Sequence, residues 1–156
     1  MLIEKELEAK IVSAFEALDG LKDMEIVGAR QESSTGIVKG EAETAKKGVV
    51  AVSVGFRTHD NFSLTPISVP VTIAISTRAE MDATGLAHET ALETVADKLS
   101  HWHRYGDVMT EDLSCARFFA GELRMDGGSG KQYDSTRSAW VESVNFTIRG
   151  AERFGG

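Results

Sequence analysis

Two segments in which apolar residues occupy every second position constrain the fold of this chain most strongly. The first, 48–57, carries its apolar set at Val50, Val52, Val54 and Phe56, and the second, 67–76, at Ile67, Val69, Val71, Ile73 and Ile75. This period of two predicts β-strands with one core face each. The polar residues 58–66 between them predict a long hairpin. Pro70 has no backbone N–H, so it predicts an unpaired edge or a bulge near the start of the second strand.

Two amphipathic helices are predicted around these strands. The apolar stripes are Ile3, Leu7, Ile11, Phe15 and Leu18 in a helix over 3–18, and Leu92, Val95, Leu99 and Trp102 in a helix from Ala83 or Thr84 to Trp102. Spacings of three and four residues place each stripe on one helix face. Asp82 or Thr84 is available as the N-cap of the second helix. We assign Glu4 and Glu8 to the solvated face of the first helix.

Two further strands, 116–125 and 139–149, follow the second helix. The glycine-rich segment 126–133 between them predicts a flexible hairpin tip. The short apolar patch 24–27 fits either a strand or a packed turn. Because hairpin-connected strand pairs form antiparallel sheets, we predict an α+β fold with two layers. In this fold a mainly antiparallel sheet of about four strands carries two amphipathic helices on one face, in the order α-β-β-α-β-β.

The segment 28–47 is predicted to be a polar loop, because Ile37 and Val38 are its only large aliphatic residues. A loop of this length in a domain of this size is typical of function or partner contact, although a merely disordered insertion remains the alternative. No linker divides the chain, and we therefore predict one domain over 1–156.

Length, charge and cysteine content restrict the class of protein. The 156 residues suffice for one domain with its own core. The single Cys115 cannot form an intramolecular disulfide, and the acidic N-terminus is unlike a signal peptide, so we expect a cytosolic protein. The apolar run 67–75 is too short to span a membrane. A net charge of −7 opposes broad binding to nucleic acid, which requires a basic patch that the sequence does not display.

The acidic surplus is concentrated on the two predicted helices. Residues 1–19 carry five acidic and two basic residues, and residues 82–103 carry four acidic and one basic residue. Six of the seven net negative charges therefore fall on the helices, and we expect two acidic surfaces.

The residues that could carry chemistry form no established motif. The run 127–132 departs from a phosphate-binding loop, because Met125 replaces its first glycine and Gln132 its Ser or Thr. His101, His103 and Cys115 offer zinc-ligand chemistry without the spacing of a closed ligand set. Cys115 as a nucleophile beside one of these histidines is likewise open. We predict no catalytic residue, no metal and no cofactor, and keep a small enzyme or metal-binding domain that uses these three residues as the alternative.

Four stretches resemble the tail-terminator, or tail-completion, proteins of long-tailed bacteriophages. They are Val69–Ile75, Leu92–Leu99, Gly121–Met125 and Trp140–Ile148. The similarity is one of layout: a leading amphipathic helix, a sheet with a long loop, a second helix, and a last strand ending in a Phe-x-Ile run. Other ring components of the phage neck, such as head-closure proteins, share much of this layout.

The resemblance implies a structural virion protein without enzymatic activity, assembled in the host cytoplasm and located at the head-proximal end of the tail. It implies a homo-oligomeric ring, typically a hexamer, that caps the tail tube, stops its polymerisation and offers a surface to the head-side connector. DNA would pass through the ring without specific binding, and no membrane is involved. For the subunit or partner interface we select Arg30, Glu32, Lys39, Glu41, Lys46, Lys47, Asp60, Phe62, Lys131 and Tyr133.

Overall fold

The structure, a computed structural model, describes residues 2–30, 46–59 and 66–153, and these contain seven strands and three helices. The helices are α1 (Ile3–Glu16), α2 (Leu86–Arg104) and α3 (Gly106–Leu113), with a 3₁₀ turn at Asp19–Leu21. The strands are β1 (Met24–Gly28), β2 (Gly48–Val54), β3 (Thr58–His59), β4 (Pro66–Arg78), β5 (Phe118–Gly128), β6 (Gln132–Asp134) and β7 (Ala139–Glu152). All of these strands belong to one sheet.

The sheet is mixed and has the order β1-β2-β4-β7-β5. β1 runs parallel to β2, and the other pairs are antiparallel. β3 pairs with β4 beyond the end of β2, and β6 pairs with β7 beyond the end of β5. The central ladder joins β4 to β7, with Ile73 opposite Val144 and Val71 opposite Phe146.

The prediction of about four strands in the order α-β-β-α-β-β is therefore wrong. The apolar patch 24–27 is a strand, and its parallel pairing makes the sheet mixed. The predicted strand 48–57 ends at Val54, and β3 lies in the segment predicted as the hairpin. A further strand, β6, follows β5 along the same side of β7. Residues 106–113, for which no element was predicted, form a helix of their own, α3.

The break between β2 and β3 lies opposite Pro70, where the sequence predicted an irregularity. The last β2 pair is Val54 with Val71, and pairing resumes at Thr58 with Ser68. Pro70 cannot donate a hydrogen bond, so only its carbonyl contributes, accepting the N–H of Gly55 at 2.8 Å. A Cβ on Gly55 would lie 2.9 Å from Cγ of Pro70, which explains why glycine suits this position.

The glycine-rich segment 126–133 does not itself form the turn of the final hairpin. Most of it belongs to the outgoing side of the hairpin, as the end of β5 and the start of β6. The turn lies at 135–138, between Asp134 and its partner Ala139. There Oδ1 of Asp134 accepts the N–H of Thr136 at 3.0 Å, and Ser138 takes a positive φ of 52°.

The helices pack on one face of the sheet, and the core lies between the two layers. From α1, the core receives Ile3, Leu7, Ile11 and Phe15, and from α2 it receives Ala91, Val95, Leu99 and Trp102. The rings of Phe15 and Trp102 stack with centroids 6.1 Å apart and join the two helices. Burial of each large apolar side chain contributes ~1.5–3 kcal/mol. No helix within the described ranges combines the length and hydrophobicity needed to cross a membrane.

Candidate interaction surfaces

Two carboxylates of α1 are buried at the places where the chain leaves the sheet. Oε2 of Glu4 accepts the backbone N–H of Arg57 at 2.9 Å, and Oε1 lies 3.1 Å from the Arg57 guanidinium. Oε2 of Glu8 accepts the N–H of Arg30 at 2.9 Å. The assignment of Glu4 and Glu8 to a solvated face is therefore wrong. Each follows a core residue by one position, so it flanks the apolar stripe instead of opposing it.

Glu4 keeps its charge despite its burial. Burial disfavours the carboxylate, but the backbone N–H and guanidinium of Arg57 outweigh that effect and hold the pKa of Glu4 below its usual 4.5. The ion pair therefore favours the folded state at neutral pH.

Glu152, at the end of β7, extends this charge network. Its Oε1 lies 3.0 Å from Nη2 of Arg117 and 3.9 Å from Nη2 of Arg57. Its Oε2 lies 3.4 Å from Nε2 of His59. Because Glu152 is buried and its partners come from two separate segments, 57–59 and Arg117, the network holds the chain around β3 and the start of β5 against the end of β7.

Two phenylalanines at this end of the sheet are exposed. Phe56 is 78% exposed and Phe119 is 43% exposed. The guanidinium of Arg30 lies 5.8 Å from the Phe56 ring centroid, and that of Arg153 lies 5.3 Å from the Phe119 ring centroid. We call this surface the arginine–phenylalanine end. It comprises Arg30, Phe56, Arg57, Arg117, Phe119 and Arg153.

The sequence pattern does not predict this surface, because it places Phe56 on the core face of its strand. The alternation Val50-Val52-Val54 continues to Phe56 only if the strand does, and β2 ends at Val54. Pro70 could have indicated this end of β2. A proline that cannot donate a ladder hydrogen bond interrupts the pairing of its own strand, and therefore also that of the strand beside it.

The outer edge of β5 is partly capped by side chains from the helices. Oγ of Ser114 accepts the N–H of Ala120 at 3.0 Å, and Oγ1 of Thr110 donates to the Ala120 carbonyl at 2.7 Å. Nδ1 of His103 lies 2.8 Å from the carbonyl oxygen of Leu123. Such capping blocks further strand pairing at the start of β5. Beyond it, residues 124–133 are all exposed.

The glycine-rich side of the hairpin contacts the N-terminal part of α2. Nζ of Lys131 lies 2.8 Å from Oε1 of Glu89 and 5.1 Å from the Trp140 ring centroid. The rings of Tyr133 and Trp140 meet edge to face at 5.3 Å. Tyr133 is 51% exposed, so this contact covers only part of its ring.

Three carboxylates form a row on the surface of α2, although Lys98 and Arg104 on the same helix reduce its net charge to −1. Glu89, Glu93 and Asp97 are exposed and follow one another at four-residue spacing, which places them on one side of the helix. We call these three residues the acidic face of α2. The expectation of a second acidic surface on α1 is wrong, because Glu4 and Glu8 are buried beside arginines.

Asp82 and His88 connect the start of α2 to the sheet. The carboxylate of Asp82 accepts the N–H groups of Ala87 at 2.8 Å and His88 at 3.0 Å, and the hydroxyl of Thr77 at 2.9 Å. Burial opposes ionisation of Asp82, but these donors outweigh it and lower its pKa. The ring of His88 is fully buried, with Nε2 3.0 Å from Oε1 of Glu142. Its Nδ1 has no hydrogen-bond partner within the described residues.

The structure does not bring the three candidate zinc or nucleophile residues into one site. His101 packs against Tyr105, His103 bonds to Leu123, and Sγ of Cys115 donates to the Leu113 carbonyl. Burial is the main cause that raises the pKa of the Cys115 thiol to about 11, which disfavours the thiolate. Within the described part of the chain, no three His, Cys, Asp or Glu side chains converge as metal ligands.

The predicted interface residues are only partly described. Arg30 belongs to the arginine–phenylalanine end, and Lys131 and Tyr133 lie on the hairpin. Lys46 donates to the Lys22 carbonyl at 2.7 Å, and the N–H of Lys47 donates to the Asp23 carbonyl at 2.8 Å, so both secure the chain beside β1. Glu32, Lys39, Glu41, Asp60 and Phe62, with most of the predicted loop 28–47, lie outside the described residues.

No family model matches this chain, and a search of curated proteins finds no significant match.

Proposed function

We propose that this chain is a structural, non-enzymatic subunit of a homo-oligomeric ring, of the kind that terminates a phage tail tube. The observation that supports an assembly role best is the exposure of large apolar side chains along β5, β6 and the adjoining end of the sheet. Phe56, Phe119, Met125 and Tyr133 are each 43–78% exposed. Phe119, Met125 and Tyr133 follow one edge of the sheet along β5 and β6, and exposed apolar groups on a shared edge are typical of protein interfaces.

The shape of these surfaces supports contacts between different patches of successive copies. The sheet edge formed by β5 and β6, the arginine–phenylalanine end and the acidic face of α2 lie on different parts of the subunit and differ in chemistry. Heterologous contacts between unlike patches generate rings when the rotation closes. The remaining surface would bind the tail tube protein on one side and the head-side connector on the other.

DNA passage without specific binding is part of the proposal. The net charge of −7 makes a ring of identical subunits strongly acidic. Like-charge repulsion then opposes adhesion of the DNA backbone to the ring. The protein would act in the virion, after assembly in the host cytoplasm.

Tail length is the decisive measurement. A phage that carries an early stop codon in the gene for this chain should produce tubes longer than wild type, because polymerisation is no longer stopped. The same phage complemented with the wild-type gene is the control. Tubes of normal length would refute the terminator function. If such tubes also failed to join heads, the chain would instead be a head-closure component of the neck.

A further inference from the structure

We propose that the arginine–phenylalanine end of one subunit binds the acidic face of α2 on a second copy of this chain. The inference rests on the proposed function and specifies the contact between neighbours in the ring. Glu93 and Asp97 would face the exposed guanidinium of Arg153, and the rings of Phe56 and Phe119 would pack beside them.

The arginine–phenylalanine end has the composition of an interface centre. Arginine and aromatic residues are enriched among the residues that dominate binding energy. Burying the Phe56 ring, now 78% exposed, would remove much apolar area from water. The end is also rigid: Glu4 and Glu152 hold Arg57, and Glu152 holds Arg117. A preorganised surface loses less entropy on binding.

A cation would stabilise the acidic face of α2. Carboxylates at four-residue spacing repel one another and destabilise a helix by a few tenths of a kcal/mol per pair. Within the described residues, Lys131 pairs with Glu89, whereas Glu93 and Asp97 have no ion pair. The guanidinium of Arg153 from a neighbour would supply the missing positive charge.

A second copy fits this end better than nucleic acid does. Glu4, Glu8 and Glu152 pair with Arg30, Arg57 and Arg117, so that among the described residues Arg153 is the one cation of this end without a carboxylate partner. A phosphate backbone would gain little from such a surface, since its affinity depends on unneutralised cations. Protein interfaces, by contrast, use arginine together with aromatic rings.

The relative directions of the two surfaces favour a ring over a symmetric dimer. The arginine–phenylalanine end lies where β2 and β7 end and β5 begins, so it faces along the strands. The acidic face lies on the outer side of the helical layer. A contact between two surfaces that face different directions is heterologous. Each further copy is then rotated relative to the one before it, and a ring forms when the rotation closes.

A charge exchange tests this contact directly. In sedimentation experiments on the full chain, Arg153→Glu and Glu93→Arg should each lower the self-association constant about tenfold. Their combination should recover most of the lost association, since the two charges are exchanged across the interface. As a matched control, Lys10→Glu on the exposed side of α1 should leave association unchanged and should not rescue Glu93→Arg.

Phe56→Ala provides a second test that does not depend on charge. It should lower the association constant about tenfold. Thermal unfolding of the dilute subunit should be unchanged, because this ring is largely exposed in the monomer.

Three outcomes would overturn the inference. One is a wild-type chain that stays monomeric at its highest soluble concentration, and another is a double variant no better than the sum of its single variants. The third is binding of a duplex DNA probe that Arg153→Glu abolishes, which would assign this end to nucleic acid. Tail length distinguishes the proposed function from the proposed contact. If tubes are overlong without the protein but these variants associate normally, the terminator function stands and the contact between the arginine–phenylalanine end and the acidic face of α2 is refuted.

Discussion

At the residue scale, Val54 and Phe56 belong to the same alternating pattern and yet have opposite environments. Val54 is 1% exposed and Phe56 is 78% exposed. The difference arises because β2 leaves β4 opposite Pro70, which cannot donate the next hydrogen bond of the ladder. A side chain keeps to one face of a sheet only while its strand continues.

Glu4→Gln should destabilise the subunit by about 1–3 kcal/mol at neutral pH, since it leaves the guanidinium of Arg57 without its closest carboxylate. The pKa of Glu4 is lowered in the folded state. Its stabilising contribution is therefore complete above the unfolded-state pKa and is lost as the pH falls through the folded-state pKa. Urea unfolding at a series of pH values measures both effects.

Glu16→Gln is the matched control for this prediction, because Glu16 is exposed on the same helix. Its effect should stay within about 0.5 kcal/mol. If the difference between wild type and Glu4→Gln were as large in acid as at neutral pH, the carboxylate charge would not be the source of the stabilisation.

At the element scale, α2 begins at Leu86, later than the sequence pattern suggests, because Asp82 caps it from outside. Its side chain reaches the N–H groups of Ala87 and His88 from beyond the N-cap residue, Gly85. The same carboxylate binds Thr77 of β4. One residue thus sets the start of the helix and attaches it to the sheet.

Asp82→Ala should lower the free energy of unfolding by about 2 kcal/mol, because it removes a helix cap and leaves the buried Thr77 hydroxyl without its partner. Thermal unfolding followed by circular dichroism measures the loss. Asp97→Ala, at an exposed position of the same helix, should change stability by about 0.5 kcal/mol or less. Equal effects of the two variants would contradict the capping role.

The side chains that cap the β5 edge make a separate prediction. In the double variant Thr110→Val and Ser114→Ala, both hydrogen bonds to the backbone of Ala120 are lost. Amide exchange should then accelerate at Ala120 and its neighbours in β5, while β4 keeps its protection. Exchange rates at single residues measure this by NMR. Uniform acceleration across the sheet would indicate global destabilisation and contradict a local capping function.

At the scale of the whole molecule, the exposed apolar and charged surfaces predict assembly. We expect light scattering to detect particles whose mass approaches six times the subunit's 16.9 kDa, at high concentration or on tail tubes. Higher salt should weaken these particles, since screening reduces the attraction between the arginine–phenylalanine end and the acidic face of α2. An assembly that strengthens with salt would show that apolar contacts dominate the interface.

The sequence predicted the two long helices and the alternating faces of the main strands, but it misjudged how the sheet is built. Ile67, Ile73 and Ile75 are buried as predicted, because a period of two places them on one face whatever lies beside them. The parallel addition of β1 was not predicted, because the short apolar patch 24–27 carries no information on its partner strand.

Of the candidate interface, Arg30, Lys131 and Tyr133 lie on surfaces that the structure describes as partly exposed.

The sequence by itself determined which residues face the core within each regular element, because that depends on a local repeat along the chain. Only the tertiary structure decided that Glu4 meets Arg57 and that Glu8 meets Arg30, since these pairs lie 53 and 22 residues apart. It likewise decided that Phe56 points outward, and that Glu89, Glu93 and Asp97 stay exposed while Glu4 and Glu8 are buried. The physical reason is the same in each case: the environment of a charged or strand-end residue is set by segments distant in the chain, and no local pattern encodes their positions.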